Sequence, residues 1–151
     1  MHRVIDIKRA GQWSAASATD RVILDAGDRN RRRAVLSGER GTALMFDWPR
    51  PVILRNGDGL VLEDGGIVQV IGEPEPLVEI AARSALAMVQ LAWHLGNRHT
   101  DVQICGECLR IRRDHVLEQM AEGLGASITP LMAPFDPEAA APSEHGVERS
   151  P

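Results

Sequence analysis

Glycine-rich turns cut the first half of this chain into short apolar runs, and that punctuation limits what it can fold into. Val52-Ile53-Leu54 leads into Asn56-Gly57-Asp58-Gly59. That quartet is a hairpin signal, because Asn and Gly accept the positive φ of tight loops. Leu60-Val61-Leu62 follows, then a second turn, Glu63-Asp64-Gly65-Gly66, and a closing run, Ile67-Val68-Gln69-Val70-Ile71. Arg21-Val22-Ile23-Leu24 and Ala43-Leu44-Met45-Phe46-Asp47-Trp48 are further runs, the second stopped by Pro49 and Pro51. Apolar runs this closely spaced predict a small antiparallel β domain over residues 1–72.

The pattern changes after Gly72-Glu73-Pro74-Glu75-Pro76, which reads as a linker. Leu77–Ala81 reads as a strand. Ser84 is a candidate N-cap for a helix from Ala85 to Leu95, with Met88, Leu91 and Leu95 on one stripe. Thr100–Ile104 and Leu109–Ile111 read as strands flanking Cys105-Gly106-Glu107-Cys108. Asp114 can cap a second helix carrying Val116, Leu117 and Met120, ended by Gly123 or Gly125. Ser127–Met132 reads as an edge strand, because Pro130 lacks a ladder donor. The order βαββαβ is that of a ferredoxin-like domain, assigned to residues 76–134. The fold class is therefore α+β. From Ala133 onward the chain has four prolines and few large apolar residues, so residues 135–151 are expected to form a flexible tail.

The chain has 151 residues but only three Trp, two Phe and no Tyr. Two halves of roughly 70 residues each have thin cores and gain from dimerisation. The net charge of −4, from 17 basic and 21 acidic residues, argues against general nucleic-acid binding. The Arg29, Arg31, Arg32, Arg33 cluster reads as a solvated strand edge or loop beside Asp25, Asp28 and Glu39. The N-terminus lacks a signal-peptide core, and no apolar run approaches the roughly 20 residues of a membrane span. A soluble, cytoplasmic protein is the expectation. Neither a phosphate-binding glycine loop nor a Ser-His-Asp arrangement is evident.

Five histidines and two cysteines are the candidate metal ligands. In His94-Leu95-Gly96-Asn97-Arg98-His99, Gly96 and Asn97 can supply the left-handed turn that ends a helix. His99 would then lie just past the helix with its ring free. Neutral imidazole is a natural ligand for nickel, copper and zinc. A lone exposed or capping histidine is the competing reading. One histidine per chain is too few for a tight site, but a two-fold dimer places two copies near its axis. His94 shares a face with Leu91 and Ala87 and reads as a packed helix histidine. His115 opens the second helix, where an exposed first-turn residue is an equal alternative. His145 lies in the tail and could swing toward a metal on the axis. Cys105 and Cys108 form one Cys-x-x-Cys pair, a moderate metal signal. They read either as unrelated turn residues or as thiolates that soften the site toward zinc or copper(I).

The stretch His94–Ile104 resembles the signature of the UreE family of urease accessory proteins, nickel-carrying metallochaperones. Asp28–Arg33 and Leu60–Gly65 are similar to that family's N-terminal β domain. Asp114-His115-Val116-Leu117 and Pro134–Glu138 resemble its C-terminal half. The resemblance implies a non-enzymatic homodimer with an N-terminal domain that contacts protein partners and a ferredoxin-like metal domain. It also implies Ni²⁺ as cargo, with Zn²⁺ or Cu²⁺ as competitors. The implied partners are the urease apoprotein and its other accessory proteins, including the GTPase. By the same resemblance His99 is the principal nickel ligand. Arg112 and Arg113 stand where some relatives carry histidines, and His145 is the one histidine of the tail. A zinc-structured or redox-sensing module built on Cys105 and Cys108 is the alternative. A metal-dependent hydrolase would need carboxylates converging on His99 at fixed spacing, which the sequence does not display.

Overall fold

The computed structural model describes residues 1–139 and is an α+β structure with two sheets and two α-helices. The first sheet is built from β1 (His2–Lys8), β2 (Asp20–Leu24), β3 (Asn30–Ser37), β4 (Ala43–Ile53), β5 (Gly59–Leu62) and β6 (Ile67–Gly72). Their order across the sheet is β2-β6-β5-β1-β4-β3. Alternation puts Val4, Val22, Leu44, Phe46, Leu60, Leu62, Val68 and Val70 into one buried cluster.

The turn chemistry predicted part of this sheet. Glu63–Gly66 does join an antiparallel pair, β5 with β6, registered Leu60 to Val68. Asn56–Gly59 does not make a hairpin, because β1 inserts between β4 and β5. There the buried Asp58 carboxylate accepts the Ala10 and Arg55 N–H groups (2.9 and 2.7 Å) and an Arg9 guanidinium N–H (2.7 Å). The turn thus anchors the exit of β1 instead of reversing the chain onto its neighbour. The sheet is also mixed, not antiparallel: β1 runs parallel to β4, and β2 parallel to β6. β4 continues through Pro49 and Pro51 to Ile53. The register with β3 slips between Arg31 and Arg33, opposite Val52 and Asp47, which takes the prolines out of the ladder.

The second sheet contains β7 (Pro74–Ala81), β8 (Gln103–Cys105), β9 (Cys108–Arg112) and β10 (Ser127–Pro134) in the order β10-β7-β9-β8. Between these strands run α1 (Ala85–Asn97) and α2 (His115–Gly123). Val78, Ile80, Leu109 and Ile111 meet Leu91, Leu95, Leu117 and Ala121 in one core, so both helices cover the same face. The expected linker is almost absent, since β6 ends at Gly72 and β7 begins at Pro74, where it already pairs with Pro134. Among the described residues, no helix is long and apolar enough to cross a membrane.

The helix-free face of the second sheet packs on the β2–β3 connection of the N-terminal half. Phe135, expected in the flexible tail, is fully buried there with Ala26 and Leu77. The Arg112 guanidinium lies 4.8 Å from its ring centroid. Arg29, expected to be solvated, is 1% exposed. Its guanidinium donates to the Leu24 and Leu54 carbonyls from the N-terminal half, and to the Phe135 carbonyl and Asp136 carboxylate from the other side. Gly72 permits this close approach, because a Cβ there would lie 2.7 Å from that of Pro134. Arg31, Arg32 and Arg33 remain exposed on the edge strand β3.

Two stability predictions follow from these buried groups. Arg29→Met removes the donor that Asp136 and three carbonyls share and should destabilise the protein by about 3–5 kcal/mol in denaturant unfolding. Asp20 is buried, which raises its pKa. Hydrogen bonds from the Thr42 hydroxyl and from the Arg40, Arg21 and Thr42 N–H groups outweigh that and hold it at about 2. The folded value lies below the unfolded carboxylate value of about 3.9. Its stabilisation is therefore full above about pH 4 and lost as pH falls through the folded value. Asp20→Asn should be less stable at neutral pH and lose stability less steeply over that acid window, read by unfolding at a series of pH values.

Candidate metal centre

α1 is the element that positions His99. Ser84 caps its start by accepting the Ala87 N–H at 3.0 Å, and Ala87, Leu91 and Leu95 bury one stripe. Leu95 is fully buried, so the last turn stays helical through Gly96 and Asn97. The left-handed residue is therefore neither of these but His99 itself, at φ 57°. The His99 N–H donates to the Gly96 carbonyl (3.0 Å) and the Thr100 N–H to the Leu95 carbonyl (3.3 Å). Those two bonds make a Schellman ending with His99 at the position glycine usually holds.

α2 supplies an internal control. It ends with the same pair of bonds, Gly125 N–H to Glu122 and Ala126 N–H to Ala121, but with glycine, φ 86°, in the left-handed place. A side chain there costs about 1–2 kcal/mol. The chain thus carries an imidazole at a position where backbone sterics favour glycine, and such outliers cluster at functional sites.

The His99 side chain is exposed beside an open depression of about 580 Å³ lined by Ala92, Gly96, Asp101, Ile104 and Glu138, among others. Glu138 was missed by the sequence reading. It arrives because its N–H donates to the Val102 carbonyl at 2.7 Å, a long-range contact that no local pattern announces. Asp101 is already paired with Arg112 at 2.9 Å. Next to this depression α1 shows solvent an apolar stripe of Leu86, Val89 and Trp93, each about two-thirds exposed (67%, 66% and 64%).

Among the described residues the other candidates do not join His99 in a shell of three or more ligands. His94 is half-buried, with its ring edge-on to Trp93 at 5.1 Å between centroids, as expected of a packed helix histidine. His115 is exposed at the first position of α2, after Asp114, whose carboxylate accepts the Leu117 N–H at 3.0 Å. Beside it, paired hydrogen bonds from Arg113, helped by the Asp114 N–H, hold the Glu118 carboxyl below its usual range. Cys105 and Cys108 are free thiols facing each other across the β8–β9 turn. His145 lies outside the described residues. Among the described residues, no three His, Cys, Asp or Glu side chains converge as a metal shell.

The strain at His99 is measurable. His99→Gly should stabilise the metal-free protein by roughly 0.5–1 kcal/mol, because it removes the penalised Cβ. Thermal unfolding checks this, and a loss of stability would show that the imidazole supports the fold.

Comparison with known proteins adds the family. Residues 1–71 match the N-terminal domain of the UreE urease accessory protein, and residues 75–150 match its C-terminal domain. A urease accessory protein UreE of Rhodopseudomonas palustris is 50% identical over 141 residues, covering 93% of this chain and 66% of the relative. The namesake from a Bradyrhizobium strain is 52% identical over 133 residues, 88% of this chain and 64% of its own length. That of Rhizobium rhizogenes is 44% identical over 146 residues, 97% of this chain and 87% of the relative. The chain spans about two-thirds of the length of the first two relatives. With both halves matched in order, the chain belongs to the UreE family of urease accessory proteins.

Proposed function

We propose that the protein is a cytoplasmic, non-enzymatic nickel metallochaperone. It would work as a homodimer, hold Ni²⁺ on its two-fold axis and deliver it to the urease apoprotein, together with the other accessory proteins including the GTPase. The observation that carries this reading is His99, an exposed imidazole held in a left-handed backbone conformation at the end of an otherwise well-capped helix. One imidazole cannot make a tight site, but two across an isologous interface can share an ion. The exposed stripe Leu86, Val89 and Trp93 on the same helix supports that interface, since an apolar face of this kind calls for a covering partner.

A shell of two imidazoles completed by weaker donors suits a carrier that must release its metal. Glu138 stands beside His99, and seven residues further on the sequence reaches His145. At up to about 3.5 Å per residue, that segment is long enough to return to the site. His115 would bind only a weaker, additional ion. Copper binds such ligands more tightly than nickel does, and zinc competes, so delivery must rest on protein contacts more than on affinity. The strand order β10-β7-β9-β8, with both helices on one face, supports a ferredoxin-like domain over residues 76–134 as the metal and dimer unit. Residues 1–72 are then the partner-contacting domain.

Nickel titration followed by native mass measurement tests this reading. The expected result is one tight ion per two chains, a dimer strengthened by nickel, and loss of that ion in His99→Ala with the fold intact. One tight ion per chain, held equally well by dilute monomer, would overturn the shared site.

A further inference from the structure

Cys105 and Cys108 are the chemistry-bearing side chains that the nickel site does not absorb. They flank the two-residue loop Gly106-Glu107 and are direct partners in the β8–β9 ladder. Gly106 has φ 62° while Glu107 is not among the positive-φ residues, which fits a type II′ turn with glycine in its first place. Ladder partners project to the same face of a sheet. Leu109, between Cys108 and Arg110, is buried against the helices, and Ile104, paired with it, lines the His99 depression. Alternation therefore sends both thiols to the opposite, helix-free face, the one that carries Arg110, Arg112 and Phe135. The loop tip itself turns toward the start of α1, away from His99. Glu107 lines a separate groove with Arg83, Ser84 and Met88, at the start of α1, whereas His99 follows its end.

Strand pairing bears on the two reactions open to a dithiol, a disulfide and a shared metal, and leans toward the second. Cross-strand partners hold their Cβ atoms about 4.5–5.5 Å apart. An unstrained disulfide needs about 3.8 Å, with a range of roughly 3.5–4.5 Å. Two sulfurs that each bond one metal at about 2.3 Å tolerate the wider spacing. Both cysteines are half-buried and free, so each thiol can be reached by an ion. We infer that Cys105 and Cys108 form a second metal site, a bidentate dithiolate for a thiophilic d¹⁰ cation such as zinc or copper(I), on the sheet face opposite His99. Two thiolates are half of a tetrahedral shell, and water or a small donor completes it, which leaves the ion exchangeable. Binding releases the two thiol protons to solvent and changes no oxidation state, so no oxidant is required.

The test uses the full chain carrying His99→Ala, so that its outcome is separate from that of the nickel site. Zn²⁺ is titrated into the reduced protein while thiol alkylation is followed, and Co²⁺ serves as the spectroscopic stand-in. The site predicts one Zn²⁺ per chain, protection of both thiols from alkylation, and a thiolate-to-cobalt charge-transfer band. All three should vanish when Cys105→Ser and Cys108→Ser are added, with the circular dichroism spectrum unchanged. Unprotected thiols, or no charge-transfer band in the His99→Ala protein, would overturn the proposal. So would a band that requires His99, because the thiolates would then belong to the nickel site. Air oxidation to an intramolecular disulfide that excess Zn²⁺ does not slow would also overturn it, in favour of a redox pair.

Discussion

A guanidinium taken fully out of water must have its donors answered, and Arg29 draws its answers from both halves of the chain. It is 1% exposed and donates to Leu24, Leu54, Phe135 and Asp136. Leu24 belongs to the N-terminal sheet and Leu54 follows β4 directly, and the last two lie just past the final strand of the second sheet. The pair is a constraint more than a source of stability. Removing one partner of a buried ion pair is costly, while the pair itself barely offsets its own desolvation. Its effect is positional. It pins Phe135 against Ala26 and Leu77 and directs the following residues along β8, where the Gln103 amide oxygen accepts the Asp136 N–H at 3.0 Å. Two residues later Glu138 bonds to Val102 and reaches the His99 depression. The lining of the candidate metal site thus depends on a contact made between the two halves of the chain.

At His99 the molecule gives up stability for placement. The two helix endings use the same hydrogen bonds, and only one obeys the glycine preference. The imidazole serves no core there, so backbone strain of about 1–2 kcal/mol has no structural return. What the position offers is exposure next to an apolar helix face. That combination supports the proposed pairing of two His99 rings across a two-fold axis.

The local chemistry was legible in the sequence, and the non-local pairings were not. Ser84 and Asp114 cap their helices because their side chains and the following apolar periodicity specify it within four residues. Glu63–Gly66 turns the chain for equally local reasons. Asn56–Gly59 carries as strong a turn signal, yet its flanking strands are separated by β1, and no residue near the turn encodes that insertion. Arg29 sits in a run of arginines whose other members are exposed, so composition placed it in solvent; it is buried by partners that include Phe135 and Asp136, more than a hundred residues away. Phe135 was lost to the tail for the same reason. The end of α1 ran past Gly96 and Asn97 because Leu95 is locked in the core, a tertiary effect that overrides the preference of those residues.

The proposal separates two chemically distinct sites, an imidazole pair shared by two protomers for the transported ion and a thiolate pair within each protomer on the opposite sheet face. X-ray absorption at the nickel edge, on protein loaded with one Ni²⁺ per two chains, tests that division most directly. The predicted spectrum has only nitrogen and oxygen neighbours, with the outer-shell scattering of two imidazoles, and it loses those features in His99→Ala. Sulfur in the first shell of the tight nickel ion would contradict it.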